Sequence, residues 1–243
     1  MKPSRLPAII FLLFLFACNK AFIPVKTEYE VKRITAQLPA DSSMLRITQV
    51  YRDSINKSMN EVIGSLQSSL EKRQPSGSLN NFMADALLQM AREKINANVN
   101  IAMVNYGGIR LTQLPAGNIT RGKIFELMPF DNYLIVQEMK GDVLQSLLDL
   151  IAERGGWAIA GANFQIQNKR AVNVLIEGKP IDAAKTYFVA NSDYVANGGD
   201  NANMLKNIPQ QNKGYLMRDA LIDYVEKNKT LTANDEKRIT NAQ

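Results

Sequence analysis

The sequence predicts an α+β fold, a mixed β-sheet core with helices packed on it, and three observations carry that expectation. Phe82, Met83, Ala86, Leu87, Met90 and Ala91 recur at helical spacing, as do Val143, Leu144, Leu147, Leu148 and Ile151, so two amphipathic helices are expected. Between them Val99–Val104 is apolar on both faces except at Asn100, the pattern of a strand lying centrally in a sheet. Helical and strand patterns mix along the chain without strict alternation, which places it in the α+β class.

The N-terminus reads as an export signal. Met1-Lys2-Pro3-Ser4-Arg5 is followed by an apolar run from Leu6 to Ala17, broken only by Pro7. Residues 1–17 therefore read as a signal peptide, too short to span a bilayer as a stable helix. Cys18 is the only cysteine, and Leu15-Phe16-Ala17 before it resembles a bacterial lipobox. That resemblance implies a lipidated Cys18 and a lipid-anchored place in the cell envelope, periplasmic or at the outer membrane. An ordinary cleaved signal with an incidental cysteine is the alternative. A lone thiol without a disulfide partner fits an exported chain whose cysteine carries lipid.

Residues 18–42, with Pro24 and Pro39 among mixed charges, read as the lipidated cysteine and a tether. Residues 43–243 suit one domain of about 200 residues. Without Lys2 and Arg5 there remain 27 basic and 23 acidic residues, a mild surplus. No dense Lys/Arg block marks a nucleic-acid polymer as partner.

Within the domain a helix is expected from Ser43 to about Asn60, then the short apolar Val62-Ile63-Gly64. Pro75-Ser76-Gly77-Ser78 breaks the chain before the first apolar stripe. Thr120 is placed to cap a short helix of Arg121–Leu127. Tyr133–Met139 is a strand ended by Lys140-Gly141-Asp142, and the helix through Leu147 stops at Gly155-Gly156. Short β segments follow near Trp157–Ile159, Phe164–Gln167 and Ala171–Glu177, with a turn at Gly178-Lys179-Pro180. After a strand at Tyr187–Ala190, a last helix carries Leu216, Met217, Ala220, Leu221, Tyr224 and Val225 on one face.

Two glycine-rich loops carry the recognisable chemistry. Asn197-Gly198-Gly199-Asp200 lies just behind Tyr194, and Asn105-Tyr106-Gly107-Gly108-Ile109-Arg110 adds a guanidinium. Paired glycines let a backbone take φ > 0 and approach a ligand closely. Asn and Asp supply donors and acceptors and the aromatic a flat face, equipment for holding a sugar and a base. The chain has no histidine. A dinuclear phosphoesterase centre built from imidazole and carboxylate is thereby excluded, and the acidic residues form no recognisable Mg²⁺ or Ca²⁺ loop. With the one cysteine in the export signal, thiol nucleophile chemistry is not expected.

Six blocks, Leu79–Leu87, Asn105–Arg110, Leu114–Ile119, Leu127–Asp131, Val174–Asp182 and Tyr194–Asp200, together resemble the C-terminal domain of the 5′-nucleotidase family, which includes ecto-5′-nucleotidases and bacterial UDP-sugar hydrolases. The resemblance spans roughly residues 45–230. It implies the substrate-binding half of a two-domain enzyme, whose N-terminal calcineurin-like half holds two metal ions and hydrolyses. Phe130 and Tyr194 stand at the family's base-stacking aromatics, Asn105 at the residue that bonds the base, and Asp200 at the one that meets ribose hydroxyls. Arg110 stands at a phosphate-side arginine, and Arg73, on spacing alone, at another. Gly107, Gly108, Asn197, Gly198 and Gly199 shape the two loops. By residue type alone the aromatics would suit a core, and Asn105 and Asp200 a turn. Pro129 and the Gly198-Gly199 pair favour loop positions for the rings. Three residues depart from the family's small ones: Tyr106 and Asn80 stand where Gly is commoner, and Asn201 where Gly is preferred.

The resemblance implies no catalytic residue, metal or cofactor in this chain. The expectation is a substrate-binding subunit of a split 5′-nucleotidase, taking a nucleoside or nucleotide ligand. Divalent metals would sit in a separate metallophosphoesterase partner, and the complex would release phosphate from nucleotides. The alternatives are a stand-alone nucleoside- or nucleotide-binding lipoprotein, and a scaffold whose pocket has decayed.

Overall fold

The computed structural model describes residues 26, 28–30 and 41–242, in two units that divide between Arg46 and Ile47. The expected signal peptide and Cys18 lie outside the described residues. Ser42–Met59 is helical. Asp41 caps it, its carboxylate accepting from the Ser43 and Met44 amides at 2.8 and 3.2 Å. The Ser43 hydroxyl first, then these amides, hold the Asp41 carboxyl below its usual range.

From Ile47 onward the organising element is a five-stranded mixed sheet, in the order Gln210–Leu216, Tyr133–Lys140, Thr186–Ser192, Ile101–Val104 and Ala158–Ala160. Thr186–Ser192 runs parallel to Ile101–Val104 and antiparallel to Tyr133–Lys140. Because side chains alternate across a strand, the four strands other than Gln210–Leu216 feed two cores. Ala102, Val104, Leu134, Val136 and Ala190 face a core shared with the helices Ser78–Lys94 and Met217–Asn228. Ile101, Met103, Met139 and Val189 face the other core, shared with the helix Gly141–Glu153 and with Phe164, Val174 and Ile176. The last three belong to a second, four-stranded sheet: Lys179–Pro180, Arg170–Ile176, Ala162–Gln167 and Ile239–Asn241.

The α+β expectation holds, and so does the Thr120 cap, whose Oγ1 accepts from the Lys123 amide at 3.2 Å. Val99–Val104 is central as expected, but the strand begins at Ile101. The Asn100 side chain instead accepts from the Phe188 amide at 3.0 Å, ending the ladder with a polar cap. The turn after Ile176 is made by Glu177 and Gly178, at φ 50° and 78°, and Lys179–Pro180 already pairs back as a short strand.

Strand Gln210–Leu216 is a correction to the sequence expectation, which left residues 210–215 without structure and put Leu216 in the last helix. Among the described residues it is an edge strand that pairs only with Tyr133–Lys140, and its ladder is interrupted around Gly214 at φ +70°. An edge that faces water needs no apolar alternation. Strand Ile239–Asn241 is a second correction. Just before it, Arg238 is buried, donating to the Ile159 carbonyl, to Asp85 and to Glu236, each at 2.9 Å. It ties the C-terminal strand to the Ser78–Lys94 helix.

Arg238→Met should therefore lower stability by about 3 kcal/mol, the loss expected when one partner of a buried pair is removed, read as a lower urea midpoint. The Arg238 hydrogen bond holds Glu236 below its ordinary 4.5. Stability from this pair is present above that value and lost as the pH falls through the lowered folded pKa. Urea midpoints measured across the acid range should show that dependence shrinking in the variant.

Candidate functional site

Strand directions bring the predicted loops to one edge of the sheet. Ile101–Val104 and Thr186–Ser192 are parallel, so Asn105 and Asp193-Tyr194 leave the sheet at the same end. Tyr133–Lys140 is antiparallel to the latter, with Leu134 opposite Ser192, so Phe130 and Asn132 enter the sheet there. Asp193 clips the two segments together, its Oδ1 accepting from the amides of Tyr133 and Tyr194 at 3.1 and 2.9 Å. Beneath them Gln137, fully buried, donates to the carbonyls of Leu205 and Ile208 at 3.0 Å each and holds the chain that follows Asp200.

The residues so assembled line one cavity of about 340 Å³: Asn105, Gly107, Gly108, Arg110, Phe130, Asn132, Tyr194 and Asp200. This is the size range of small-ligand pockets. Phe130 and Tyr194 are 37% and 46% exposed, which removes them from the core. Arg110 reaches this corner because its amide donates to the Leu127 carbonyl at 3.0 Å. Its guanidinium then lies 5.7 Å over the Phe130 ring. Asn105 is buried and its Nδ2 donates to Asp200 Oδ2 at 2.6 Å. The Tyr194 hydroxyl donates to Asp200 Oδ1 at 3.3 Å and accepts from the Asp200 amide at 3.4 Å. Asp200 and Asn201 sit at φ 51° and 69°, a region Asp and Asn tolerate better than most residues and Gly best.

Gly108 and Gly199 are required by space. A Cβ on Gly108 would meet Asn105 Oδ1 at 2.6 Å, and one on Gly199 would meet the Tyr194 ring at 2.4 Å. Gly198 and Asn197 shape the loop from outside the cavity lining. Gly198 takes φ 91°, and Asn197 Oδ1 accepts from Gln210 Nε2 at 2.9 Å, fixing the loop to the edge strand.

Arg73 does not join this group. It lines a different concavity with Ser69, Glu71, Gly77, Ser78, Asp235 and Lys237, and its guanidinium is paired with Glu71. Asn80 is buried near it, its Oδ1 accepting from the Arg73 amide at 3.2 Å. Three residues at the site escaped the sequence reading. Asn132 joins the lining with no motif to mark it. Arg218 supports the Phe130 segment from below, donating to the Phe130 carbonyl at 3.3 Å and Asp131 at 2.6 Å, with its guanidinium 4.2 Å over Phe125. Its signal was present: position 218 shares a helix face with Leu221, Ile222 and Val225, where an arginine is out of place. Lys72 packs on the ring of Tyr106, 3.7 Å from its centroid, and no local pattern announced it. Among the described residues, no group of three or more His, Cys, Asp or Glu is placed to hold a metal ion.

A family model described as 5′-nucleotidase, C-terminal domain, matches residues 55–207. Protein UshA of Yersinia enterocolitica is 28% identical over 206 residues, 82% of this chain and 37% of that protein. The trifunctional nucleotide phosphoesterase protein YfkN of Bacillus subtilis is 32% identical over 171 residues, 62% of this chain and 12% of that protein. The crystal structure of a 5′-nucleotidase precursor from Thermus thermophilus matches with a TM-score of 0.73 at 28% identity, covering 84% of this chain and 44% of that one. The chain thus spans less than half the length of these proteins.

Gly199→Ala should push the Tyr194 ring off its seat. A stability loss of about 1–3 kcal/mol is expected for such overpacking, with a changed near-ultraviolet circular dichroism signal from the tyrosine. An unchanged signal and midpoint would show that the ring does not depend on Gly199.

Proposed function

The chain belongs to the 5′-nucleotidase C-terminal domain family, and on that premise we propose that it is the substrate-binding subunit of a split 5′-nucleotidase. The observation that carries the reading is the single cavity in which two exposed rings, Phe130 and Tyr194, meet Asn105, Asp200 and Arg110. A base stacked on such rings gains roughly 1–3 kcal/mol per contact. The Asp200 carboxylate suits a vicinal ribose diol as acceptor, Asn105 suits the polar edge of a base, and Arg110 suits a phosphate. These groups bind and orient. They do not activate water, and the reading assigns the divalent metal ions and the hydrolytic step to a metallophosphoesterase partner chain.

A base clamp and a metal site need each other in this scheme. The metals stabilise charge developing on the phosphoryl group, and the clamp fixes that group before them. The proposal further puts the protein at the cell envelope on a lipidated Cys18, on the strength of residues 1–17 and the lipobox-like Leu15-Phe16-Ala17 alone.

Phe130→Ala and Tyr194→Ala should each weaken AMP or adenosine binding by about 5- to 150-fold, the loss of one stacking contact, in equilibrium titrations. Recovery of the membrane-bound protein with a stoichiometric, metal-loaded phosphoesterase, whose AMP hydrolysis rises on adding this chain, is the expected result. No rise across several nucleotides would sink the split-enzyme reading. Tight ligand binding by protein recovered alone would favour the stand-alone binding lipoprotein.

A further inference from the structure

Beside the cavity stands a cation that the family blocks do not mark. Lys72 Nζ donates to the Ile109 carbonyl at 2.8 Å while lying 3.7 Å over the Tyr106 ring. These contacts press it against the turn that presents Gly107, Gly108 and Arg110 to the cavity. Tyr106 stands where the commoner form of this block has Gly, so the added ring supplies the shelf on which the ammonium rests.

The charges around it are unbalanced. Arg73 is paired with Glu71, Arg218 with Asp131, and Arg121 with Glu61 and Glu226. Lys72 and Arg110 have no such partner among the described residues, Arg110 being engaged only with the Phe130 ring. Burial first, then repulsion from Arg110, lowers the Lys72 pKa. Lys72 is half-buried and Arg110 exposed, and two neighbouring cations without a counter-charge gain from an anion placed between them.

We propose that Lys72, seated on Tyr106, and Arg110 form a two-cation grip for the phosphoryl group of a nucleotide in this cavity. Lys72 then takes the second phosphate-side place that spacing alone had given to Arg73. The inference rests on the reading of the cavity as a nucleotide site, and it makes this chain prefer a nucleoside monophosphate over the nucleoside even without a partner.

Equilibrium titration of the full chain with AMP, adenosine and inorganic phosphate tests it. AMP should bind more tightly than adenosine. Lys72→Met should weaken AMP by about tenfold, the loss of one charge-assisted contact, and leave adenosine unchanged, while Lys72→Arg keeps the preference. If Lys72→Met fails to fold, Tyr106→Gly decides, since removing the shelf should also erode the preference. An AMP preference that survives Lys72→Met, or that falls only with Arg73→Met, overturns the grip. If neither adenosine, AMP nor the other nucleosides and their monophosphates bind the unaltered chain, the nucleotide reading itself fails. The cation pair is then judged on inorganic phosphate: binding that Lys72→Met weakens upholds an anion site, and no binding overturns it too.

Discussion

The parallel pairing of Thr186–Ser192 with Ile101–Val104 is the constraint on which the rest of this structure depends. Two strands far apart in sequence end at the same edge because Val189 stands opposite Ile101 and Ala190 opposite Ala102. Parallel pairs need a long crossover, and here the intervening chain supplies further strands, the Gly141–Glu153 helix and three of the four strands of the second sheet. Both faces of the pair are apolar and covered, so its register is fixed: a slip of one residue would turn Ala102 and Val104 into the core shaped for Ile101 and Met103. Every polar group of the cavity hangs from this edge. Asn105 follows one strand, Tyr194 and Asp200 the other, and Phe130 precedes the strand laid antiparallel beside them.

What could be read from the sequence was whatever follows a period or a local rule. The stripe from Phe82 to Ala91 and the one from Val143 to Ile151 are helical because one face is apolar, and Thr120 caps because its hydroxyl reaches the Lys123 amide. The two Gly-Gly loops were legible as glycine pairs, and in each the second glycine, Gly108 or Gly199, sits where a Cβ would strike Asn105 or Tyr194. Gln210–Leu216 was not legible, since an edge strand facing water has no apolar alternation to show. Ile239–Asn241 is held by Arg238 reaching Asp85, a contact across 153 positions that no window of sequence contains. Lys72 and Arg73 are neighbours in sequence with the same charge. Only the fold sends one to Tyr106 and the other to Glu71.

The three departures from small residues also resolve into different physics. Asn80 is enclosed and used, its carbonyl oxygen taking the Arg73 amide. Asn201 keeps a left-handed backbone, strained for most side chains but tolerable for Asn. Tyr106 adds a ring that a lysine then covers. None of the three occupies the cavity itself, whose lining runs through Gly107 and Gly108 instead. A decayed pocket would be expected to fill or open. This one measures about 340 Å³, with both rings exposed and the Asp200 carboxylate held by Asn105 and Tyr194.

That held carboxylate decides what a ligand can gain. Asp200 already receives Asn105 Nδ2 at 2.6 Å and the Tyr194 hydroxyl at 3.3 Å, so its oxygens are aimed before anything binds. In the proposed reading, a ribose hydroxyl or a base edge would have to exchange with these bonds, and an exchanged hydrogen bond is worth only about 1 kcal/mol net. The Tyr194 hydroxyl, absent from a phenylalanine at this place, thus buttresses Asp200 in its left-handed turn and simultaneously competes with the ligand for it. Hydrogen bonds here set orientation more than affinity. In the proposed nucleotide reading, affinity comes mainly from the exposed faces of Phe130 and Tyr194 and from Arg110 and Lys72, which no carboxylate pairs among the described residues.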